Sequence, residues 1–205
     1  MRRIYVCLLA LTMLAVASLV VARGHAEGGA TPGQAAGAVP SSGYRAEFLA
    51  EVAYYEQRYV QLAEKMPADK YTWRPGEGVR SVGEVFIHIT QANYGVARAL
   101  GTEPPAGVDT KTLSGLATDK EKTVQALKDS FAHFRKAILA LGDGDADKPQ
   151  KMFGRQTTLR GSFILITGHF GEHLGQSIAY ARVNGIVPPW TEEQQQQQQK
   201  QAAKP

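Results

Sequence analysis

Residues 163–184 read FILITGHFGEHLGQSIAYARVN, and this stretch decides the fold class. We predict one long helix here, from about Thr158 to Asn184, because Gly185 and the two prolines that follow it are typical of a helix end. The segment 163–166 is apolar on all sides, which indicates a helix packed against several neighbours. This helix is therefore the most buried element of the predicted fold.

Three further segments each carry one apolar stripe with steps of three and four residues. The first runs from about residue 44 to 66, and the second begins at Ser81, a good cap, and ends at Gly101. The third opens with Thr118 and Glu121 in capping-box spacing and ends at Gly142. The stripes are Phe48, Val52, Tyr55, Tyr59, Leu62 and Met66; Val82, Val85, Ile89, Ala92, Val96 and Leu100; and Val124, Leu127, Phe131, Phe134, Ile138 and Leu141.

These four helices predict an all-α fold. Steps that average about 3.5 residues suit helices packed at shallow angles, so we expect a four-helix bundle of the up-and-down kind over residues 44–190. No segment alternates convincingly at period two, and the only β-like segment is Lys70 to Trp73, before Pro75.

The fourth helix is unusual in carrying several glycines, each of which costs up to about 1 kcal/mol of helix propensity relative to alanine. Two interpretations stay open. The glycines either let a neighbouring helix approach closely, or they weaken a helix that good packing tolerates. They are Gly161, Gly168, Gly171 and Gly175.

The amino-terminal segment 1–26 is predicted to be a signal peptide. Arg2 and Arg3 precede an apolar run over 4–22, and small residues follow near Ala26. The run is also long enough for an uncleaved membrane anchor, which stays open as the alternative. In either case we expect an exported protein, periplasmic or secreted, with membrane contact only if the segment is kept.

Two low-complexity segments flank the predicted domain. Residues 27–43 are rich in Gly, Ala and Pro and are predicted to be a flexible linker. Residues 191–205 include six consecutive glutamines and are predicted to be a disordered tail.

Export changes what the composition implies. Removing the three arginines of the leader takes the basic residues from 23 to 20 (23 − 3) against 19 acidic residues, so the mature chain is nearly neutral. The charge therefore gives no indication of nucleic acid as a partner, and we expect none. The one cysteine, Cys7, lies in the leader, so the mature domain has no disulfide and no thiolate for metal binding or catalysis.

The polar face of the fourth helix suggests a metal site. His169 and His173 are four residues apart, so both imidazoles lie on one face, together with Tyr180 and, at its edge, Gln176. A buried polar face needs partners. The alternative to a metal is a pair of neutral core histidines hydrogen-bonded to neighbouring side chains.

His88 on the second helix would complete a set of three imidazoles. Three protein ligands with a position left to water or substrate are typical of catalytic zinc sites. Taken alone, His88 is more typical of a boundary histidine capped by Glu84, one turn earlier. Glu84 stays open as a fourth ligand, a residue that orients His88, or a solvated charge. His133 is predicted to point to the flank of the third helix or to solvent.

Two motifs, WRPGEGVRSVGEVFIHI at 73–89 and GHFGEHLGQSIAYARVNGIVPP at 168–189, resemble the DinB-like (DinB/YfiT) family of metalloenzymes. The similarity covers nearly all of residues 44–190. The family pattern combines a tryptophan-proline loop, a histidine on the second helix, and a histidine pair on the last helix that continues into a glycine-prolines ending. The matching positions here are Trp73, Pro75, His88, His169, His173, Gln176, Arg182, Gly185, Pro188 and Pro189.

The resemblance implies a four-helix bundle that binds a divalent metal through His88, His169 and His173, with open coordination positions. Zinc is favoured, and nickel or iron are alternatives. Gln176, Tyr180 and Glu84 are expected to line the pocket or to orient the ligands. Some relatives are thiol-dependent transferases and others resemble hydrolases. Thiol cosubstrates are cytosolic, however, whereas this chain is expected to be exported.

Three functions stay open at this point. The first is an exported metal-dependent enzyme, hydrolase-like, that uses water activated by the metal on a small substrate of unknown identity. The second is a non-catalytic module that binds a metal or a small ligand. The third is a thiol S-transferase, as in some relatives. A purely structural helical protein, whose histidines form a polar core network, also stays open. The sequence leaves a homodimer open and identifies no catalytic residue.

Overall fold

The computed structural model describes residues 39–203, which form five α-helices and one β-hairpin. The predicted signal peptide or anchor and most of the predicted linker lie outside these residues. None of the described helices is long and apolar enough to cross a membrane. The elements are α1 (Gly43–Lys65), α2 (Val82–Ala99), α3 (Lys120–Leu139), β1 (Pro149–Met152), β2 (Arg155–Thr158), α4 (Leu159–Val183) and α5 (Pro189–Ala202).

The helix starts follow side-chain capping. At α2, the Glu84 backbone N–H donates to the Ser81 hydroxyl, and the Ser81 N–H donates to the Glu84 carboxylate, which completes the capping box. At α4, the Thr158 hydroxyl accepts from the Gly161 N–H, as the predicted start requires. The predicted start of α3 at Thr118 is wrong by one residue, because the cap is the carboxylate of Asp119.

The apolar stripes form the core. Of the predicted stripe residues, all are buried except Tyr55, Ala92, Leu100 and Leu141, which are partly buried. The apolar segment of α4 contributes Phe163 and Ile166 to the same core. The period of the apolar residues was therefore sufficient to find which faces of the helices turn inward.

The order of packing differs from the up-and-down arrangement. Helix α1 packs mainly on α3 and α4, and α2 packs mainly on the same two helices. In an up-and-down bundle, α1 would instead pack on α2, and α3 on α4. The connections over 66–81 and 140–158 are long enough to let successive helices lie apart. As a result, α2 and α4 are neighbours, although they are far apart in the chain.

The prediction of no β-structure is wrong at one place. Strands β1 and β2 form an antiparallel hairpin in which Pro149 pairs with Thr158 and Met152 with Arg155. The strands are short and mostly exposed, so they lack the alternating apolar pattern by which a strand is recognised. The segment that looked β-like, Lys70 to Trp73, instead contains the last residue of a short 3-10 helix and the turn that follows it.

The glutamine-rich tail was predicted to be disordered, but residues 189–202 form the helix α5. Proline is favourable in the first helical turn and glutamine is a good helix former, so the segment has the local propensity for a helix. The start of α5 is held on α1. The Arg58 guanidinium lies 4.6 Å from the Trp190 ring centre, and Lys65 Nζ donates to Glu192 at 3.0 Å.

The glycines of α4 divide between the two interpretations. A Cβ at Gly171 would lie 3.4 Å from the Tyr55 hydroxyl of α1, and one at Gly161 would collide with the Thr157 hydroxyl. At Gly168 and Gly175 a Cβ would meet no atom within 4 Å. Close approach to a neighbouring helix therefore accounts for Gly171 alone.

Candidate metal centre

The packing of α2 on α4 brings the three predicted histidines together. His88 faces His169 and His173, which lie one turn apart on α4. The ring centres are 4.5 Å apart for His88 and His173, 4.7 Å for His169 and His173, and 5.1 Å for His88 and His169. One nitrogen from each ring lies within 4.8 Å of the other two.

The donor set fits a divalent cation. A tetrahedral zinc ion with Zn–N bonds of about 2.0–2.1 Å separates two ligand nitrogens by about 3.3 Å. The Nε2 atoms of His88 and His169 are 3.1 Å apart, close to that spacing. All three side chains are half-buried, so the site is shielded but still open to a small molecule. Imidazoles alone also suit nickel or iron, and the set does not fix the metal.

The electrostatic surroundings keep two of the imidazoles neutral. Burial, the positive charge of Arg80 and the two neighbouring imidazoles lower the pKa of His88 to about 4. Burial and the adjacent His173 lower the pKa of His169 to about 4, against a weaker opposing effect of Glu172. Near neutral pH both rings thus keep a free lone pair, which metal coordination requires.

His173 is oriented by a chain of hydrogen bonds along α4. Its Nδ1 lies 2.9 Å from the Gln176 amide oxygen, and Gln176 Nε2 donates to the Tyr180 hydroxyl at 2.8 Å. An amide oxygen only accepts, so Nδ1 carries the hydrogen and Nε2 is left to bind a cation. Tyr180 in turn packs edge-on against Trp73, with ring centres 5.3 Å apart. Gln176 therefore contacts His173 directly, and Tyr180 contacts Gln176.

Glu84 does not join the histidines. Its carboxylate accepts from the Ser81 N–H at 2.6 Å and from Arg74 Nη2 at 3.2 Å. The Ser81 bond and the charge of Arg74 lower the pKa of Glu84. Of the three predicted roles, the structure does not support that of a ligand, because the carboxylate is held at the start of α2. It lines the same cleft as His88.

The sequence analysis missed two residues, one that packs against His169 and one that shares a cleft with His88. The Phe153 ring is centred 5.1 Å from the His169 ring, at the tip of the hairpin. Arg80 and His88 both line one cleft. Phe153 was missed because the hairpin was missed. Arg80 had one available signal, its place next to the cap of α2, but this gives no information about the fourth helix.

His133 was predicted to point to the flank of α3 or to solvent. The solvent alternative is wrong, because the residue is only 8% exposed. Its ring packs against Tyr94 of α2, with centres 5.2 Å apart. Helices α2 and α3 pack so closely that the region beside the stripe of α3 is also covered.

This chain matches a family model and is similar to solved structures. The family model described as the DinB superfamily matches residues 54–177, more than half of the chain and a range that includes all three histidines. A solved DinB-like protein from Bacillus subtilis is 24% identical, with a TM-score of 0.46, over 69% of this chain and 93% of that one. A DinB-like protein from Bacillus cereus is 20% identical, with a TM-score of 0.48 and the same coverage. No curated protein matches.

Proposed function

This chain belongs to the DinB superfamily, and on that premise we propose that it is an exported metal-dependent enzyme of the hydrolase type. His88, His169 and His173 would hold one divalent cation, with zinc favoured and nickel or iron as alternatives. The observation that carries the proposal is the convergence of three imidazoles from two helices, with one nitrogen of each within 4.8 Å of the others.

A bound cation of this kind supplies Lewis acidity and activates water for attack on an ester or amide. The protein's own residues would hold and shield it. Gln176 fixes the His173 tautomer through Nδ1, and Tyr180 holds Gln176. The Phe153 ring is centred 5.1 Å from the His169 ring and would shield that side of the site from bulk water. Because the three ligands are neutral, the cation keeps its full charge.

The remaining parts of the proposal concern architecture and location. We take α1 to α4 as a four-helix bundle closed by the core that they share. Residues 1–26 would direct export to the periplasm or the medium, either as a cleaved signal peptide or as an anchor. The partner would be a small molecule rather than nucleic acid.

The test begins with the protein produced through its own export route. Elemental analysis is expected to find about one divalent ion per chain, removable by a chelator and restored by zinc, nickel or iron salts. A panel of esters and amides is then assayed with the loaded protein, the chelated protein and the His173→Ala variant. Turnover that needs both the metal and His173 supports the proposal. Wild-type protein that takes up no divalent ion would falsify it.

A non-catalytic binding module is the second candidate, and one observation favours it. Glu84, the carboxylate of the cleft beside His88, is already engaged by Ser81 and Arg74, so the described residues offer no free general base there. The same panel separates the two functions. Stoichiometric metal binding without metal-dependent turnover of any substrate would support the module.

A further inference from the structure

The cleft beside His88 contains an arginine to which the proposed function gives no role. This cleft has a volume of about 370 Å³, and Arg80 and His88 are both on its wall. Arg80 is exposed, and within residues 39–203 it forms no salt bridge or side-chain hydrogen bond. An arginine that forms no ion pair presents a planar set of five donors to whatever enters the cleft.

The other charges of the cleft are already paired. Arg74 donates to the Val79 carbonyl oxygen and to the Glu84 carboxylate, each at 3.2 Å. Glu84 also accepts from the Ser81 N–H. The negative charge in this cleft is therefore neutralised by a neighbour, whereas the positive charge of Arg80 is not. The cleft as a whole has an excess of positive charge.

Arg80 and His88 line the same cleft, so a small molecule bound there can contact both side chains. A divalent cation held by the histidines would add to the positive charge of the cleft.

We propose that this cleft binds an anionic group, a carboxylate or a phosphate, through the guanidinium of Arg80. The substrates of the centre are then small anionic compounds, which Arg80 holds at one end while the bond to be cleaved lies at the histidines. This assignment of substrates rests on the proposed function. The binding of the anion itself does not, because it requires only the cleft and Arg80.

The first experiment uses metal-free protein, so that it does not depend on the proposed function. The full chain is titrated with succinate and with inorganic phosphate at low salt, and binding is followed by calorimetry. We expect millimolar binding that weakens roughly tenfold in Arg80→Gln and less in Arg80→Lys, which keeps the charge but loses the planar fork. The two probes distinguish carboxylate from phosphate as the preferred anion.

The matched control is Arg98→Gln. Arg98 is an exposed arginine whose Nε already pairs with Glu103 at 2.8 Å, so its loss should leave anion binding unchanged. Equal binding by wild type and Arg80→Gln, equal losses in both arginine variants, or no binding of either anion to wild type would each overturn the proposal.

The second experiment separates this proposal from the function of the centre. Zinc titration of Arg80→Gln should show wild-type affinity or better, because the change removes a positive charge near the ligands. With loaded protein, an ester that carries a free carboxylate should exceed its neutral methyl ester in kcat/KM, and Arg80→Gln should remove most of that preference. Anion binding without metal binding would sink the proposed function alone. Metal binding and turnover, together with anion binding that does not depend on Arg80, would sink this inference alone.

Discussion

Two histidines of this protein have similar aromatic neighbours and opposite surroundings. The His169 ring lies 5.1 Å from Phe153 at 34°, and the His133 ring lies 5.2 Å from Tyr94 at 39°. Tyr94 is 3% exposed, however, whereas Phe153 is 49% exposed. Packing against an aromatic ring therefore does not identify a functional histidine.

The two regions differ in whether the ring nitrogens of several histidines come together. His169 shares its site with His88 and His173, and one nitrogen of each ring lies within 4.8 Å of the other two. The Nε2 of His133 has no hydrogen-bond partner among the described residues, and neither does the nearby Asn93 Oδ1. The first region has several donors and access for a ligand. The second is a buried polar region in which no such set of donors is assembled.

The largest expected difference is between the effects of His169→Leu and His133→Leu on zinc binding. His169→Leu should abolish zinc binding, and with it the stabilisation that a saturating ligand gives, about 4 kcal/mol at a thousand times Kd. His133→Leu should keep zinc binding and change the stability of the metal-free protein by no more than about 1 kcal/mol, because it removes a polar atom that has no partner. Thermal unfolding with zinc and with a chelator measures both effects. Equal zinc stabilisation in the two variants would show that the comparison is false.

A smaller effect is expected at the residue that orients His173. Gln176→Leu removes the acceptor of the Nδ1 hydrogen, and we expect zinc affinity to fall by about 10- to 100-fold. The matched control in the other region is Ser130→Ala, which removes the partner of Asn93 Nδ2 at 3.0 Å. That change should lower the free energy of unfolding and leave zinc affinity unaltered. Competition against a zinc indicator would reveal whether Gln176 acts on the site at all.

The pH dependence of the metal-free protein gives a third test. The pKa of His88 and His169 is lowered to about 4 in the folded state, against 6.5 as the ordinary value. Between these values the unfolded chain binds protons that the folded chain does not, so the free energy of unfolding falls as the pH drops from about 6.5 to about 4. Above that window these two groups contribute no pH dependence.

Urea unfolding at several pH values, with a chelator present, measures this slope. The matched variant is His88→Leu with His169→Leu, which should flatten the decline between pH 6.5 and 4, while His133→Leu serves as the control for loss of a histidine elsewhere. An unchanged slope in the double variant would mean that other groups dominate acid unfolding.

The helical part of the fold could be predicted because it depends on local patterns. The apolar period located the buried faces, and Ser81 and Thr158 set the starts of α2 and α4. The order of packing could not be predicted, since the loops at 66–81 and 140–158 are long enough for more than one arrangement. The hairpin was missed because its two strands are short and polar, so their sequence has no alternation of apolar and polar residues.

Part of the histidine site could also be predicted from a local pattern in the sequence. The four-residue step from His169 to His173 fixes a shared face on one helix, whatever the tertiary fold. His88 could be proposed as the third ligand from the sequence, but choosing it over the boundary alternative depended on the family resemblance, because nothing local places α2 beside α4. Arg80 and Phe153 depend on loops and a turn, and the burial of His133 depends on how closely α2 and α3 pack. Each of these needed the three-dimensional structure.

The smallest expected effect concerns Phe153, the exposed member of the two aromatic rings compared above. Its φ of 49° lies in the left-handed region, where a non-glycine residue is strained and asparagine is tolerated best, and Gly154 follows with φ of 77°. Phe153→Asn should therefore stabilise the metal-free protein by roughly 0.5–1 kcal/mol. Phe153→Leu, which removes the ring but keeps the strain, should not stabilise it. If urea unfolding shows that asparagine destabilises the hairpin, the contact of the ring with His169 outweighs the backbone strain. If it stabilises, the protein retains a strained phenylalanine over His169 at a cost to stability, as expected of a residue that serves the site.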